Sequence, residues 1–251
     1  MTGHVGVLLV HGLTGTPWEV RPVEEALAKA GHACSAPALP GHGLVPDALR
    51  GVEWNQWLQF VERERDRLAG EHGSVVLVGE SLGALLALCA AVSDSSGRVA
   101  GVVTMGAALE LSWPIGPAVR LFHALGRCVP DFTLRKHGGS DIQDPAVRGQ
   151  NPGYDAQPMR TAAQLVVAQR VARAVIPRLR VPLLAIHGLL DATVPLSASV
   201  ELVTRAGSND RVLVVLPRSG HLVSVDYERD EVARQVCAFV ARVANGDHGR
   251  N

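Results

Sequence analysis

The chain has 251 residues in which 24 basic side chains balance 24 acidic ones, so its formal net charge is zero. That balance leaves no electrostatic footprint for nucleic acid or anionic lipid and demands no charged substrate, and the length suits one large α/β domain, or two small ones, with a substantial core. Cys34, Cys89, Cys128 and Cys237 are scattered, without CxxC or Cys/His spacing, so neither a metal site nor a cofactor is expected.

Val5 to Val10 is an apolar run read as a buried parallel strand. It is too short for a signal peptide, and the longest apolar run, after Ser81, is far below a bilayer span; a cytoplasmic protein without stable membrane insertion is the expectation. In the following His11-Gly12-Leu13-Thr14-Gly15-Thr16-Pro17-Trp18-Glu19, Thr16 reads as an N-cap, Pro17 as the first helical residue and Glu19 as the capping-box partner of a helix that stops at Gly31. His11 reads as a structural histidine pinning this loop. A short strand around Ala33 to Ala38 leads to Pro40-Gly41-His42-Gly43, where His42 reads as a loop-fixing hydrogen-bonder, with a role as catalytic base the lesser alternative. Trp54 to Leu68 has helical spacing, with Trp57, Leu58 and Val61 on one face.

The β-branched run Val75 to Val78 ends in Gly79-Glu80-Ser81-Leu82-Gly83 and passes directly into an Ala/Leu-rich helical segment. Gly-x-Ser-x-Gly alone is a weak pattern, but between a strand and a helix it describes a strained turn that holds a serine hydroxyl at the tip of a sheet. Val99 to Met105 is a further buried strand. From Ala107 to about Arg180 the alternation lapses into a proline-rich stretch, in which Ala118, Leu121, Phe122, Leu125 and Val129 form an apolar stripe with Arg120 and His123 off it. The stripe suits either packing on the sheet or a lid over an acyl pocket. The sheet resumes at Val181 to Ile186, followed by His187-Gly188-Leu189-Leu190-Asp191-Ala192-Thr193-Val194-Pro195. A last strand, Arg211 to Leu216, leads to Ser219-Gly220-His221-Leu222 and an amphipathic helix from Glu228 to Val243; the polar tail after Ala244 should fray.

The expected fold class is therefore α/β: a mostly parallel sheet flanked by helices, with residues 1–106 and 181–251 as core and 107–180 as a cap, one domain overall. Loops after the strands converge on one sheet edge, where active sites of such folds sit. A serine hydroxyl needs a base, and the base an orienting acid. His221 alone among the histidines follows the last strand in a Ser-Gly-His turn, and Asp191 sits just past the preceding strand. Asp226 and Asp210 are nearer in sequence to His221, but one lies where the chain leaves toward the last helix and the other precedes the final strand at its far end.

Taken together, Leu8 to Pro17, Pro40 to Gly43, Gly79 to Gly83, His187 to Pro195 and Ser219 to His221 make the chain resemble the α/β hydrolases over its whole length, closest to the bacterial carboxylesterase and monoacylglycerol lipase branch. The order Ser81, Asp191, His221 is that of this superfamily. The resemblance implies an oxyanion hole from the Leu13 and Leu82 N–H groups, and a cap between the family's sixth strand and the strand carrying the acid. It implies hydrolysis of a small apolar ester through an acyl-enzyme on Ser81, without cofactor or metal. The substrate pocket is expected to draw on Trp113, Phe122, Leu125, Val194 and Leu222. Activity should fall as pH drops through the His221 pKa, about 6–7 if unperturbed. An acyltransferase, a carbon–carbon bond hydrolase, a cofactor-free haloperoxidase and a non-catalytic binding protein remain compatible with the same three residues.

Overall fold

The computed structural model of the chain describes residues 5–135 and 139–246; the polar tail beyond Gly246 and His137 lie outside them. Six strands, β1 (Gly6–Val10), β2 (Ala33–Ser35), β3 (Val75–Glu80), β4 (Val99–Met105), β7 (Leu183–Gly188) and β8 (Arg211–Leu216), form one sheet in the order β2-β1-β3-β4-β7-β8, with every pairing parallel. A separate antiparallel pair joins β5 (Thr133–Arg135) to β6 (Ala156–Pro158). The helices are α1 (Arg21–Lys29), α2 (Trp54–His72), α3 (Leu82–Ser93), α4 (Ile115–Leu125), the single turn α5 (Pro145–Arg148), α6 (Met159–Val175), α7 (Leu196–Arg205) and α8 (Arg229–Ala244).

Strand parity divides the core into two layers. Leu8, Val10, Leu77, Val102 and Ala185 pack with α2, α3, α6 and α7 on one face. Val7, Leu9, Val76, Val78, Val103 and Ile186 pack with α1 and α8 on the other. Both faces of a parallel sheet are covered in this way, which is why its strands read as unbroken apolar runs. Helix α3 is buried along its length from Leu82 to Ala91 because the sheet lies beneath it and α2 and α6 flank it. A helix apolar all round needs such an enclosure.

Several expectations change at this level. Thr16 makes no side-chain cap, and Pro17–Val20 is a 3₁₀ turn before α1; the Glu19 carboxylate accepts the Gly12 N–H instead, so no capping box forms. The stretch 107–180 contains α6, whose Ala162, Ala163, Leu165, Ala168 and Ala172 join the core beside α3. It follows the fourth strand of this six-stranded sheet, so "sixth" holds only in the family's own strand count. On α4 the buried positions are Gly116, Val119 and Phe122, whereas Leu121 and Leu125 of the expected stripe are exposed.

Candidate active site

The strands deliver the site to their carboxyl edge. At the end of β3 the chain reverses at Ser81, which sits at φ 56°, ψ −113°, a left-handed conformation costly for any residue with a Cβ. The flanking glycines make the turn possible: a Cβ on Gly79 would run into the Gly83 carbonyl, and one on Gly83 into the Val10 carbonyl. The close approach of β1, β3 and α3 therefore requires hydrogen at both positions.

Across this edge His221 Nε2 lies 2.9 Å from Ser81 Oγ, and its Nδ1 lies 2.8 Å from Asp191 Oδ2. The other carboxylate oxygen of Asp191 accepts the Thr193 and Val194 N–H groups at 2.9 and 2.7 Å. With Nδ1–H donated to Asp191, Nε2 is left as the acceptor for the serine proton, which is the tautomer a general base needs. Burial disfavours a charged His221, but the charge and hydrogen bond of Asp191, with the Asp141 and Glu80 carboxyls, outweigh it and hold the pKa above its ordinary 6.5. Burial likewise works against an ionised Asp191, yet the His221 charge and hydrogen bond, the Val194 N–H and His187 leave its pKa below the usual value. The imidazole is thus more basic than the unperturbed value expected from sequence. Behind Asp191, buried His187 takes Ser199 Oγ at 2.8 Å and the Val194 carbonyl at 3.2 Å; burial lowers its pKa first, and it fixes the acid loop as a neutral ring.

The loop after β1 is pinned by the two histidines read as structural. His11 uses its Nδ1 on the Gly12 carbonyl and accepts the Leu39 N–H on Nε2; burial, then His42, lowers its pKa to about 3, so it stays neutral. His42 Nε2 accepts the Thr14 N–H at 3.1 Å. With the Gly12 and Thr14 amides so engaged, Leu13 between them lines the cavity beside Ser81, and Leu82 opens α3 directly after Ser81. Asp226, the rival acid, is buried and its two oxygens accept four backbone N–H groups, from Gln143, Asp144, Gly220 and Tyr227. Asp210, the other, pairs with Arg242 at the far end of the sheet.

Ser81 and His221 open into a cavity of about 650 Å³, a size suited to a small ligand. Its apolar lining includes Leu111 ahead of α4, Ile115 and Val119 on α4 and Ala162 and Leu165 on α6, while Arg135, Ser140, Asp141, Arg148, Gln157 and Thr193 supply polar groups. Of the expected pocket residues, Leu222 lines the cavity. The other four are placed elsewhere. Trp113 is 83% exposed, Leu125 is on the outer face of α4, and Val194 is buried in the core. Phe122 packs edge-on against Phe132 with ring centroids 5.6 Å apart. On α4 the cavity-facing positions are 115 and 119, which leaves Phe122 and Leu125 off the cavity, while Trp113 and Val194 lie outside the helix.

Three groups escaped the sequence reading. Glu19 was assigned to a cap; its carboxylate holds Gly12 instead and borders the cavity. Glu80 is fully buried, with Ser224 Oγ 2.6 Å from its carboxyl; burial, then Glu19, raises its pKa to about 8. Parity could have marked it, since position 80 continues the inward-facing series Val76, Val78. Asp141 lies in a stretch with no periodicity and gave no signal.

A parallel sheet flanked by helices, with a serine at a strand-to-helix turn and a histidine between it and a carboxylate, defines an α/β hydrolase. The sequence profile of the family described as "Serine aminopeptidase, S33" matches residues 4–228, and the chain belongs to that family. A thermostable monoacylglycerol lipase of Bacillus sp. (strain H-257) is 29% identical over 242 residues, covering 96% of this chain and 92% of its own length. A carboxylesterase of Bacillus subtilis (strain 168) is 22% identical, with 96% and 94% covered. Among solved structures, one from work on LipS and LipT, two metagenome-derived lipolytic enzymes, superposes with a TM-score of 0.86 at 27% identity, covering 96% of this chain and 95% of the other. The monoacylglycerol lipase of Paleococcus ferrophilus has the same fold, with a TM-score of 0.79 at 20% identity and 96% of each chain covered. Among the described residues no helix is long and apolar enough to cross a membrane.

Proposed function

We propose that the protein is a serine hydrolase that cleaves small apolar carboxylic esters, monoacylglycerols or short-chain alkyl esters, through an acyl-enzyme on Ser81. The observation that carries this reading is His221 bridging Ser81 and Asp191 at 2.9 and 2.8 Å. Ser81 Oγ adds to the ester carbonyl while its proton passes to His221 Nε2, and Asp191 holds the ring and stabilises the imidazolium. The Leu13 and Leu82 N–H groups receive the oxyanion, the latter at the positive end of α3. Collapse of the tetrahedral adduct breaks the bond to the alkoxide, which leaves with the proton from His221. Water then adds to the acyl-enzyme, its proton taken by the same nitrogen, and the bond from Oγ to the acyl carbon breaks as His221 returns that proton to Ser81, releasing the carboxylic acid. In this reading the segment 107–180 is the cap, with the acyl chain lying along α4 and α6 and the alcohol toward Arg135, Arg148 and Gln157.

The test is turnover of p-nitrophenyl esters and monoacylglycerols by wild type and Ser81→Ala, alongside labelling by a fluorophosphonate, which requires an activated serine. Ser81→Ala should lose on the order of 10⁶ in turnover, as knockouts of equivalent serines do, and all labelling. An aminoacyl p-nitroanilide included in the same series separates ester from peptide substrates. Equal ester turnover by the purified Ser81→Ala protein would sink the proposal.

A further inference from the structure

The loop carrying the acid and the loop carrying the histidine are held by one residue that belongs to neither. Asp141 lies in the segment between β5 and α5. Its Oδ2 accepts the Ala192 N–H at 2.8 Å, the Thr193 N–H at 3.1 Å and the Thr193 hydroxyl at 3.1 Å. Its main-chain carbonyl accepts the N–H of His221 at 3.0 Å and of Leu222 at 3.2 Å. The Thr193 N–H is shared between Asp141 Oδ2 and Asp191 Oδ1, so two carboxylates are tied through a single amide. Asp226 returns the connection from the histidine side by accepting the Gln143, Asp144 and Gly220 N–H groups.

We infer that Asp141 is a positioning residue: it sets the register of the Asp191 loop against the His221 loop and places a fixed negative charge beside the imidazole. The inference rests on the proposed role of Ser81, Asp191 and His221. Geometry carries the positioning, through the hydrogen bonds that Asp141 accepts from both loops. A base displaced by a fraction of an ångström loses the line between Ser81 Oγ and Asp191 Oδ2, and Asp141 ties the loop that carries Asp191 to the loop that carries His221. The charged or titratable groups facing His221 are Asp191 from its own loop, His187 from β7, Glu80 from β3 and Asp141 from the segment above; Asp141 is among those that favour the imidazolium. Oδ2 thus meets three donors, while Oδ1 faces Gln143 Nε2 at 3.4 Å.

Two variants separate shape from charge. Asp141→Ala removes the acceptor, and kcat on a p-nitrophenyl ester should fall about 10–100-fold with KM held within about twofold, the scale of a mispositioned catalytic group. Asp141→Asn keeps the shape and removes the charge. Because a nearby carboxylate raises an imidazole pKa, its loss moves the acid limb of kcat/KM, and the His221 titration followed by NMR, to lower pH. An Asp141→Ala protein with wild-type kcat, or one whose KM rises while kcat holds, overturns the inference, as does an Asp141→Asn protein whose His221 titration is unmoved. Should the alanine variant fail to fold, the NMR titration of Asp141→Asn decides, since it needs no turnover. Ser81→Ala run alongside keeps the two readings apart: ester turnover surviving there counts against the proposed function, whereas wild-type behaviour of the Asp141 variants against a dead Ser81→Ala counts against this inference alone.

Discussion

Ser224 has one hydroxyl hydrogen and two close oxygens, Glu80 Oε2 at 2.6 Å and the Glu19 carbonyl at 2.5 Å. One hydrogen serves one of them, so the second contact is satisfied when the Glu80 carboxyl carries a proton and donates to Ser224. Burial, with Glu19 beside it, raises the Glu80 pKa from 4.5 to about 8 and agrees with that count. The folded state then binds a proton that the unfolded chain releases between these values, so stability is lost as pH rises through this window. Glu80→Gln stays neutral and should flatten the decline: its thermal midpoint should exceed that of wild type at about pH 9, where the native carboxyl is charged, and lose the advantage near about pH 5. Calorimetry across that range checks it, and parallel curves for the two proteins would refute it. Activity runs the other way. With the His221 pKa held above 6.5 by Asp191, the free base grows as pH rises, so the acid limb of kcat/KM should lie above the ordinary histidine range, read from a pH–rate profile. A limb at or below 6.5 would show that Asp191 does not perturb the ring. Ser81, Asp191 and His221 stood out in the sequence because each follows a strand in a turn of recognisable composition. Glu80 and Asp141 did not, because their partners are backbone groups and side chains far away in the chain.

At the scale of elements, α4 shows how an apolar stripe read from the sequence slips phase. Leu121 and Leu125 are exposed and off the cavity, while Ile115, half exposed, and Val119 border it and Phe122 is buried in the core. A bulky residue at 119 should therefore shorten the longest acyl chain accepted, whereas one at 121 should not. Val119→Trp is expected to reduce kcat/KM for long-chain p-nitrophenyl esters about tenfold or more relative to butyrate, the scale of steric discrimination in apolar pockets. Leu121→Ser, on the opposite face, should keep the wild-type chain-length profile, and equal profiles for all three proteins would show that α4 does not border the acyl site. Helix α6 was hidden for a related reason: half of its buried positions are alanine and two more, Thr161 and Gln169, are polar, which blurs the stripe against Arg160, Gln164 and Arg170. Its role is set by α3, whose own small residues admit a close neighbour, and no single-segment pattern contains that information. The Thr16 cap failed because Glu19 found a better-placed donor in Gly12, a tertiary contact outweighing a local one.

For the molecule as a whole, the parallel sheet was written in the alternation of apolar runs and helices, but the ties between the segment over the site and the core were not. Strand parity fixes which side chains enter each layer; it does not say which loop carboxylate will be enclosed by backbone amides from three segments. Asp226 is the clearest of these ties. It is fully buried, accepts from Gln143 and Asp144 above the site, from Gly220 before His221 and from Tyr227 beside it, and thereby joins residues more than eighty positions apart. Asp226→Ala would leave those N–H groups enclosed without an acceptor, and the cost of stranded donors is about 3 kcal/mol or more. At about 2–4 °C per kcal/mol for a chain of this length, the thermal midpoint should fall by about 6–12 °C. The exposed pair Arg21–Glu25, with side chains 65% and 55% accessible, is the contrast: Arg21→Ala should change stability by no more than about 1 kcal/mol. Scanning calorimetry of both variants decides the matter, and an Asp226→Ala midpoint no lower than that of Arg21→Ala would mean that these four hydrogen bonds do not hold the upper segment to the core.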